Sequence, residues 1–287
     1  MRSYMDLVQA ANQQKKKIGR VVLQEQASEL EKTAEELFER MRANLRVMYQ
    51  AVETGLKKKE HSLSGLSGGD AVKVEQRRLN GQSLVGDRLS GAVARALAVA
   101  EVNAGMGKIV AAPTAGSCGV LPGVLLTVQE SGNYPEEEVV LALFTAAGLG
   151  MVVAERATLA GAEGGCQAEI GSAAAMAAAA AVELAGGTPE ETAHAAAITM
   201  KSFLGLVCDP VAGLVEVPCI KRNATAAVLA LTGAEMALAG VKSAIPLDEV
   251  IDTMALIGRQ LPCSLRETAQ GGLAATPTAR KIQLTLP

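Results

Sequence analysis

The cysteines are the residues of this chain whose positions most suggest chemistry. Three of them lie in loops beside residues that break helices: Cys166 follows two glycines, Cys208 precedes an Asp-Pro pair, and Cys219 follows a proline. A buried structural cysteine more often lies on the apolar stripe of a helix or strand. Loop amides can donate hydrogen bonds to sulfur, which tunes a metal cluster. This placement favours thiols that bind a metal or react.

The spacing of the cysteines leaves other interpretations open. The chain has no C-x-x-C pair, so neither zinc-ribbon nor ferredoxin spacing is present. Free cysteines in glycine-rich loops also occur for packing reasons. The odd count of five cysteines, with no apolar export signal behind Met1, argues against a disulfide framework. Free, metal-bound and catalytic thiols all remain as options.

The composition predicts that helices position these loops. Hydrophobic residues make up 49 % and aromatic residues only 2 %, so the apolar mass is Ala, Val, Leu and Met. Alanine has the highest helix propensity. Val21–Leu23 and Lys108–Ala112 are the only weak strand candidates. We therefore expect an all-α fold: an N-terminal helical arm over residues 1–60, then a single compact helical domain over residues 61–287.

Apolar periodicity and helix breakers predict the individual elements. A long amphipathic helix is expected over Leu23–Val52, and Thr188-Pro-Glu-Glu191 has the capping-box pattern of a helix start. The Ala-rich helix 172–184 is expected to be stable only if it is buried. The other predicted helices are 87–105, 121–129, 136–159, 188–204, 223–239 and 247–260, and the predicted loops are 61–71, 111–119, 161–171, 208–219 and the tail from 271.

Charge and hydropathy exclude two classes of partner. The net charge is −3, whereas a nucleic-acid surface needs a basic excess. The longest apolar stretch, Val139–Ala154, is shorter than a membrane span. We expect a cytoplasmic protein with neither a nucleic-acid nor a membrane partner.

Four stretches carry a resemblance to a known family. They are APTAGSCGVLP at 112–122, GAEGGCQAEIG at 161–171, CDPVAGLVEVPCIKRNA at 208–224 and RETAQGGLA at 266–274. These long motifs resemble the alpha chain of the iron–sulfur-dependent L-serine dehydratases, from about Ser64 to the C-terminus. The resemblance implies a lyase of amino-acid catabolism and gluconeogenesis. As an L-serine ammonia-lyase, it would convert serine to pyruvate and ammonia without pyridoxal phosphate.

The resemblance also implies a cofactor and its ligands. Cys166, Cys208 and Cys219, spaced by 42 and 11 positions, would ligate a 4Fe–4S cluster. Single-chain relatives have a further cysteine close to the C-terminus, which this chain lacks, so the fourth iron is expected to be open to water or substrate. An open iron would act as a Lewis acid on the serine hydroxyl while a base removes the α-proton. The resulting aminoacrylate would tautomerise and hydrolyse to pyruvate and ammonia.

The matching motifs also suggest substrate-binding and catalytic residues. A serine- and glycine-rich loop is expected to hold the substrate carboxylate by backbone amides at a helix start, through Ser64, Ser67, Gly68, Gly69 and Asp70. A plain helix connection is the alternative interpretation of that loop. The polar residues expected to line the pocket are Thr114, Ser117 and Asn223.

The general base stays unassigned at this point. The catalytic candidates are Ser117, Cys118 and His61, and Cys118 is expected either near the substrate or packed beside the site. Positive charge for the substrate would come from Lys221 and Arg222, unless these are solvated surface residues. His194 is expected to be a satisfied core histidine, and Cys263 is interpreted as structural.

A second chain is expected as a partner. Fused relatives carry an additional N-terminal domain with a serine-rich histidine motif, whereas this chain begins with a charged helical arm. A separate beta chain is therefore expected to complete the site and to cover part of the Ala-rich helical surface.

Three other functions remain open. A pyridoxal-phosphate dehydratase with Lys201 as its Schiff base is disfavoured by the missing strand–helix alternation. A related iron–sulfur lyase would act on cysteine or a hydroxy acid. A non-catalytic helical assembly protein would carry no iron.

Overall fold

Helices are the only extended regular elements in the described part of the chain. The computed structural model describes residues 3–57 and 61–286, which form thirteen α-helices and no β-strand. In chain order the helices are α1 Tyr4–Gln14, α2 Ile18–Glu29, α3 Ala34–Lys57, α4 Asp70–Leu79, α5 Gly86–Ala104, α6 Val120–Gly132, α7 Glu136–Arg156, α8 Gly161–Gly164, α9 Ser172–Leu184, α10 Pro189–Lys201, α11 Cys219–Leu238, α12 Leu247–Gln260 and α13 Pro277–Thr285. The predicted all-α class is confirmed. The two weak strand candidates lie in α2 and in an irregular segment.

The Ala-rich helix α9 is the centre of the fold. Every residue of α9 is buried, and α6, α7, α10 and α11 pack around it. Small alanine side chains allow these close approaches, which explains how a helix poor in large side chains is stabilised. The expectation that a partner covers an Ala-rich surface is wrong for α9, because the chain's own helices already cover it.

The N-terminal helices pack on this same core. The buried Tyr4 hydroxyl hydrogen-bonds to the Thr192 hydroxyl of α10 at 3.0 Å. The Gly19 amide of α2 donates to the buried Glu183 carboxylate of α9, at 3.2 Å from each oxygen. A side chain at Gly19 would place its Cβ 2.1 Å from the Leu141 carbonyl oxygen, so glycine permits α2 to approach α7. The predicted arm boundary falls on residue 60, outside the described residues, and stays a prediction.

Several predicted element boundaries are wrong. The helix predicted over Leu23–Val52 is two helices, because Thr33 and Glu36 form a reciprocal cap that starts α3. The predicted loop 161–171 contains α8 and a π-turn at Gln167–Gly171. The tail, predicted as a loop, forms α13 with Thr276 as its N-cap. Helix α11 begins four residues earlier than predicted, at Cys219.

Helix α7 is the most apolar long helix of the described chain. By length and composition it could cross a membrane, but 72 % of its most apolar part is buried inside the fold. This burial is the pattern of a core helix.

Candidate metal centre

The three loop cysteines lie at the ends of helical elements. Cys166 directly precedes the π-turn that leads into α9, and Cys219 is the first residue of α11. Cys208 lies in the connection between α10 and α11, where its amide donates to the Leu265 carbonyl at 2.9 Å. Helix starts present free amides and a positive dipole end, and both favour a thiolate. The fold therefore provides suitable local environments for metal-binding sulfur.

Electrostatic interactions connect these three thiols. Cys166 interacts with Cys208, and the charge of Cys166 also acts on Cys219. They are only 2 %, 3 % and 8 % exposed, respectively. The hydrogen bond with Cys208 and then the charge of Arg222 lower the pKa of Cys166, whereas burial raises the pKa of Cys219 to about 12. The lowered pKa favours the thiolate of Cys166, the form that binds metals.

Arg222 provides a fixed positive charge beside the thiols. Its guanidinium donates to the Val207 carbonyl at 2.9 Å and to the Asp209 carboxylate at 3.0 Å, and its charge lowers the pKa of Cys166. The other Asp209 oxygen accepts from the Leu273 amide at 2.8 Å. The motif at 266–274 therefore fixes Asp209, which in turn orients Arg222. The alternative that Arg222 is a solvated surface residue is wrong, since its side chain is only 18 % exposed.

Two carboxylates that the sequence analysis did not select also lie in this centre. The oxygens of Glu169 and Glu267 and the sulfur of Cys208 all lie within 4.8 Å of one another. Glu169 is half-buried, and burial raises its pKa. The sequence did contain one signal for Glu169. It lies in the Cys166 motif, three residues after that cysteine, which is about one helical turn.

The donor set fits a metal bound mainly by sulfur. Thiolates select zinc, copper(I) and iron–sulfur clusters, whereas carboxylates favour harder ions. Three buried thiols and the neighbouring Arg222 guanidinium, whose charge offsets part of the thiolate charge, fit a metal centre with mainly sulfur donors. Around Cys208, the carboxylates of Glu169 and Glu267 add oxygen donors to the sulfur.

The predicted substrate loop is clamped by two buried carboxylates. Ser62 and Ser64 donate to Glu216 at 2.6 and 2.7 Å, and Ser67 also donates to it. Glu216 is 6 % exposed and lies between Cys208 and Cys219 in the chain. The serine loop is thereby joined to the segment that carries two of the predicted ligands.

The amides at the end of this loop are also engaged. Asp70 and Ala71, at the start of α4, donate from their backbones to Glu101 at 2.8 and 3.4 Å. Gly68 and Gly69 are buried, with φ of 133° and 77°. The Asp70 carboxylate pairs with Lys221 at 2.8 Å. Because the hydroxyls and these amides already have partners, a substrate contact by the loop stays a prediction.

Asn223 connects the predicted pocket loop to the thiols. Its amide group accepts from the Gly119 amide at 2.9 Å and donates to the carbonyls of Gly116 and Cys219 at 2.8 and 3.0 Å. Thr114 and the buried Ser117 cap the turn between them, with their hydroxyls 3.1 Å apart. These contacts hold the loop in place, and binding of substrate by the three residues stays a prediction.

The remaining candidates lie in different environments. Cys118 is buried at 1 % exposure, burial raises its pKa to about 12, and its sulfur lies 3.9 Å from the Val99 carbonyl oxygen. His61 is exposed at the start of the serine loop. His194 has a hydrogen-bond partner, since its Nδ1 accepts from the Ser243 amide at 3.3 Å, but it is half-buried and not a core residue. Cys263 is exposed, and Lys201 donates to the Ser243 hydroxyl at 2.9 Å.

The fold is all-helical, and three buried thiols lie in or beside the loops that connect its helices. This is a donor set typical of metalloproteins. A family model described as "Serine dehydratase alpha chain" matches residues 13–274. The chain therefore belongs to the serine dehydratase alpha-chain family. The matched range begins well before Ser64, so the resemblance is longer than its motifs indicated.

Individual relatives agree with this family. The chain is 53 % identical over 282 residues to the "Probable L-serine dehydratase, alpha chain" of Bacillus subtilis (strain 168), covering 98 % of this chain and 94 % of that protein. It is 44 % identical over 278 residues to the "L-serine dehydratase, alpha chain" of Peptoniphilus asaccharolyticus, covering 97 % and 95 %. It is 49 % identical to the "L-serine dehydratase" of Mycobacterium bovis, where the match covers 62 % of this chain but 40 % of the relative.

Proposed function

We propose that this chain is the catalytic alpha chain of a 4Fe–4S-dependent L-serine dehydratase. The observation that supports the proposal is the burial of Cys166, Cys208 and Cys219, which come from three separate loops, together with the action of Cys208 and Arg222 on the Cys166 thiol. The substrate is proposed from the names of the relatives, which specify L-serine. The reaction would yield pyruvate and ammonia in the cytoplasm.

Cys166, Cys208 and Cys219 would hold the cluster. When bound, a cluster with one iron free of cysteine supplies a Lewis acid for the substrate hydroxyl. Arg222, fixed by Asp209, would offset negative charge at the thiolates and donate a hydrogen bond to Cys166. The burial of the three thiols would limit the access of water to the sulfur ligands.

The serine loop and α11 would provide the contacts for the amino acid. Glu216 fixes the loop through three serine hydroxyls, and Lys221 lies against its end at Asp70. Lys221 is 54 % exposed, so its ammonium is accessible to a substrate carboxylate. The loop would thereby be rigid before substrate arrives, which reduces the entropic cost of binding.

A beta chain is proposed as the partner. Two relatives are named as alpha chains and are covered almost completely, whereas the Mycobacterium bovis protein is covered over 40 % of its length. The part of the Mycobacterium bovis protein that this chain does not match would correspond to the proposed beta chain. The partner would supply the base, because the buried Ser117 and Cys118 are poorly placed to remove a substrate proton.

The test is a serine assay of the anaerobically loaded chain, alone and with the beta chain. We expect pyruvate formation that depends on both chains, with serine preferred over threonine and cysteine. Full turnover by the isolated chain would contradict the partner's role and direct attention to His61. Preferred turnover of cysteine would contradict the proposed substrate.

A further inference from the structure

The Glu169 carboxylate lies where the motif stretches meet. A Cβ at Gly161 would sit 2.6 Å from Glu169 Oε2 and 3.1 Å from Cys208 Sγ. A Cβ at Gly116, in another motif, would sit 3.3 Å from Glu169 Oε1. Glycine at these two positions thus leaves room around the carboxylate.

A carboxylate oxygen of Glu169 also lies within 4.8 Å of the Cys208 sulfur. The charge of Glu169 raises the pKa of the Cys166 and Cys219 thiols as well. Glu267 is the other carboxylate near Cys208, but it is exposed and stands on a backbone with φ of 62°. The half-buried Glu169 is therefore the better-fixed oxygen donor beside the Cys208 sulfur.

We propose that, before substrate binds, the Glu169 carboxylate is the protein ligand of the iron that has no cysteine. This inference rests on the proposed function, because it requires a cluster held by Cys166, Cys208 and Cys219. A carboxylate oxygen is a hard donor that binds iron but exchanges more readily than a thiolate. Glu169 would keep the fourth iron in place and yield its position to the serine hydroxyl.

The test compares Glu169→Gln with Glu163→Gln as the matched control. Glu163 lies in the same motif and is exposed. All proteins are loaded anaerobically with ⁵⁷Fe in the presence of the beta chain. Two properties are measured: the Mössbauer spectrum of the unique iron, and the rate at which limited oxidation produces the electron paramagnetic resonance signal of a 3Fe–4S cluster. Neither readout depends on turnover.

We expect Glu169→Gln to change the spectrum of the unique iron and to lose that iron at least about fivefold faster, while Glu163→Gln matches wild type. Glu169→Asp keeps the charge but shortens the side chain by one methylene, which moves the carboxylate oxygen away from the iron. It should therefore behave like Glu169→Gln if direct contact with the iron is required. A wild-type spectrum and rate in both Glu169 variants would overturn this inference alone. A wild-type protein without iron would instead overturn the proposed function.

Discussion

Replacing Glu216 by Gln should loosen the serine loop without unfolding the protein. The carboxylate accepts three serine hydroxyls, two of them on the same oxygen. Glutamine has nearly the same shape, and its single oxygen can keep two of these bonds, whereas its NH₂ group must face Ser64. A hydrogen bond to a buried charge contributes about 1.5–3 kcal/mol. The net loss should therefore be about 1–3 kcal/mol of local stability.

Hydrogen exchange measures this loss directly. The loop amides of Ser62, Gly65 and Leu66 are hydrogen-bonded within the loop, at 2.8, 2.9 and 3.1 Å. A loss of 1–3 kcal/mol corresponds to roughly 5- to 150-fold faster exchange, since about 1.4 kcal/mol is tenfold. Exchange of a peptide spanning 61–70 is followed by mass spectrometry in the anaerobically loaded protein. Glu155→Gln, an exposed change on α7, serves as the control.

The outcome for this peptide decides the role of Glu216. We expect faster exchange at 61–70 in Glu216→Gln, a raised KM for serine and an unchanged iron content. Unchanged protection of the loop would refute the clamp. A loss of protection throughout the protein would show that Glu216 stabilises the whole fold instead of this loop.

Three further predictions concern the cluster and the core. Arg222→Met should reduce iron incorporation, measured as iron per chain, because Cys166 loses its positive neighbour; Arg280→Met on the exposed tail should not. Air should inactivate the enzyme, and ferrous iron with a thiol should restore it; activity stable in air for hours would count against an iron that has no cysteine ligand. Burial raises the pKa of Glu183, so the folded carboxylate holds its proton to higher pH than the unfolded one. The wild type should therefore lose free energy of unfolding as pH rises from about 4.3 through that raised pKa, and Glu183→Gln should remove this loss in melting temperatures measured across that range.

The starts of several helices could be predicted from local sequence signals alone. Thr188 and Pro189 predicted the start of α10, and the structure has the same capping box there. Thr276 and Pro277 carry the same signal at α13, where a loop was expected. The Thr33-x-x-Glu36 pattern likewise marks the break before α3. These boundaries were therefore predictable from local capping chemistry.

The contacts that assemble the site were not predictable in this way. Glu216 meets serines about 150 positions earlier in the chain, and Asn223 joins α11 to a loop more than 100 positions away. Such pairs depend on how α5, α6 and α11 pack, and helical periodicity contains no information about these partners. The loop cysteines were identified through their motifs, whereas Glu169 became visible only when packing placed two glycines around it.

The most direct test of the central claim is iron and sulfide analysis after anaerobic purification. Wild type, Cys208→Ala and Cys263→Ala are compared, since Cys208 is buried in the centre and Cys263 is exposed outside it. Wild type and Cys263→Ala should each contain about four irons and four sulfides per chain, and Cys208→Ala should contain almost none. A full complement of iron in Cys208→Ala, or none in the wild type, would contradict a cluster held by Cys166, Cys208 and Cys219.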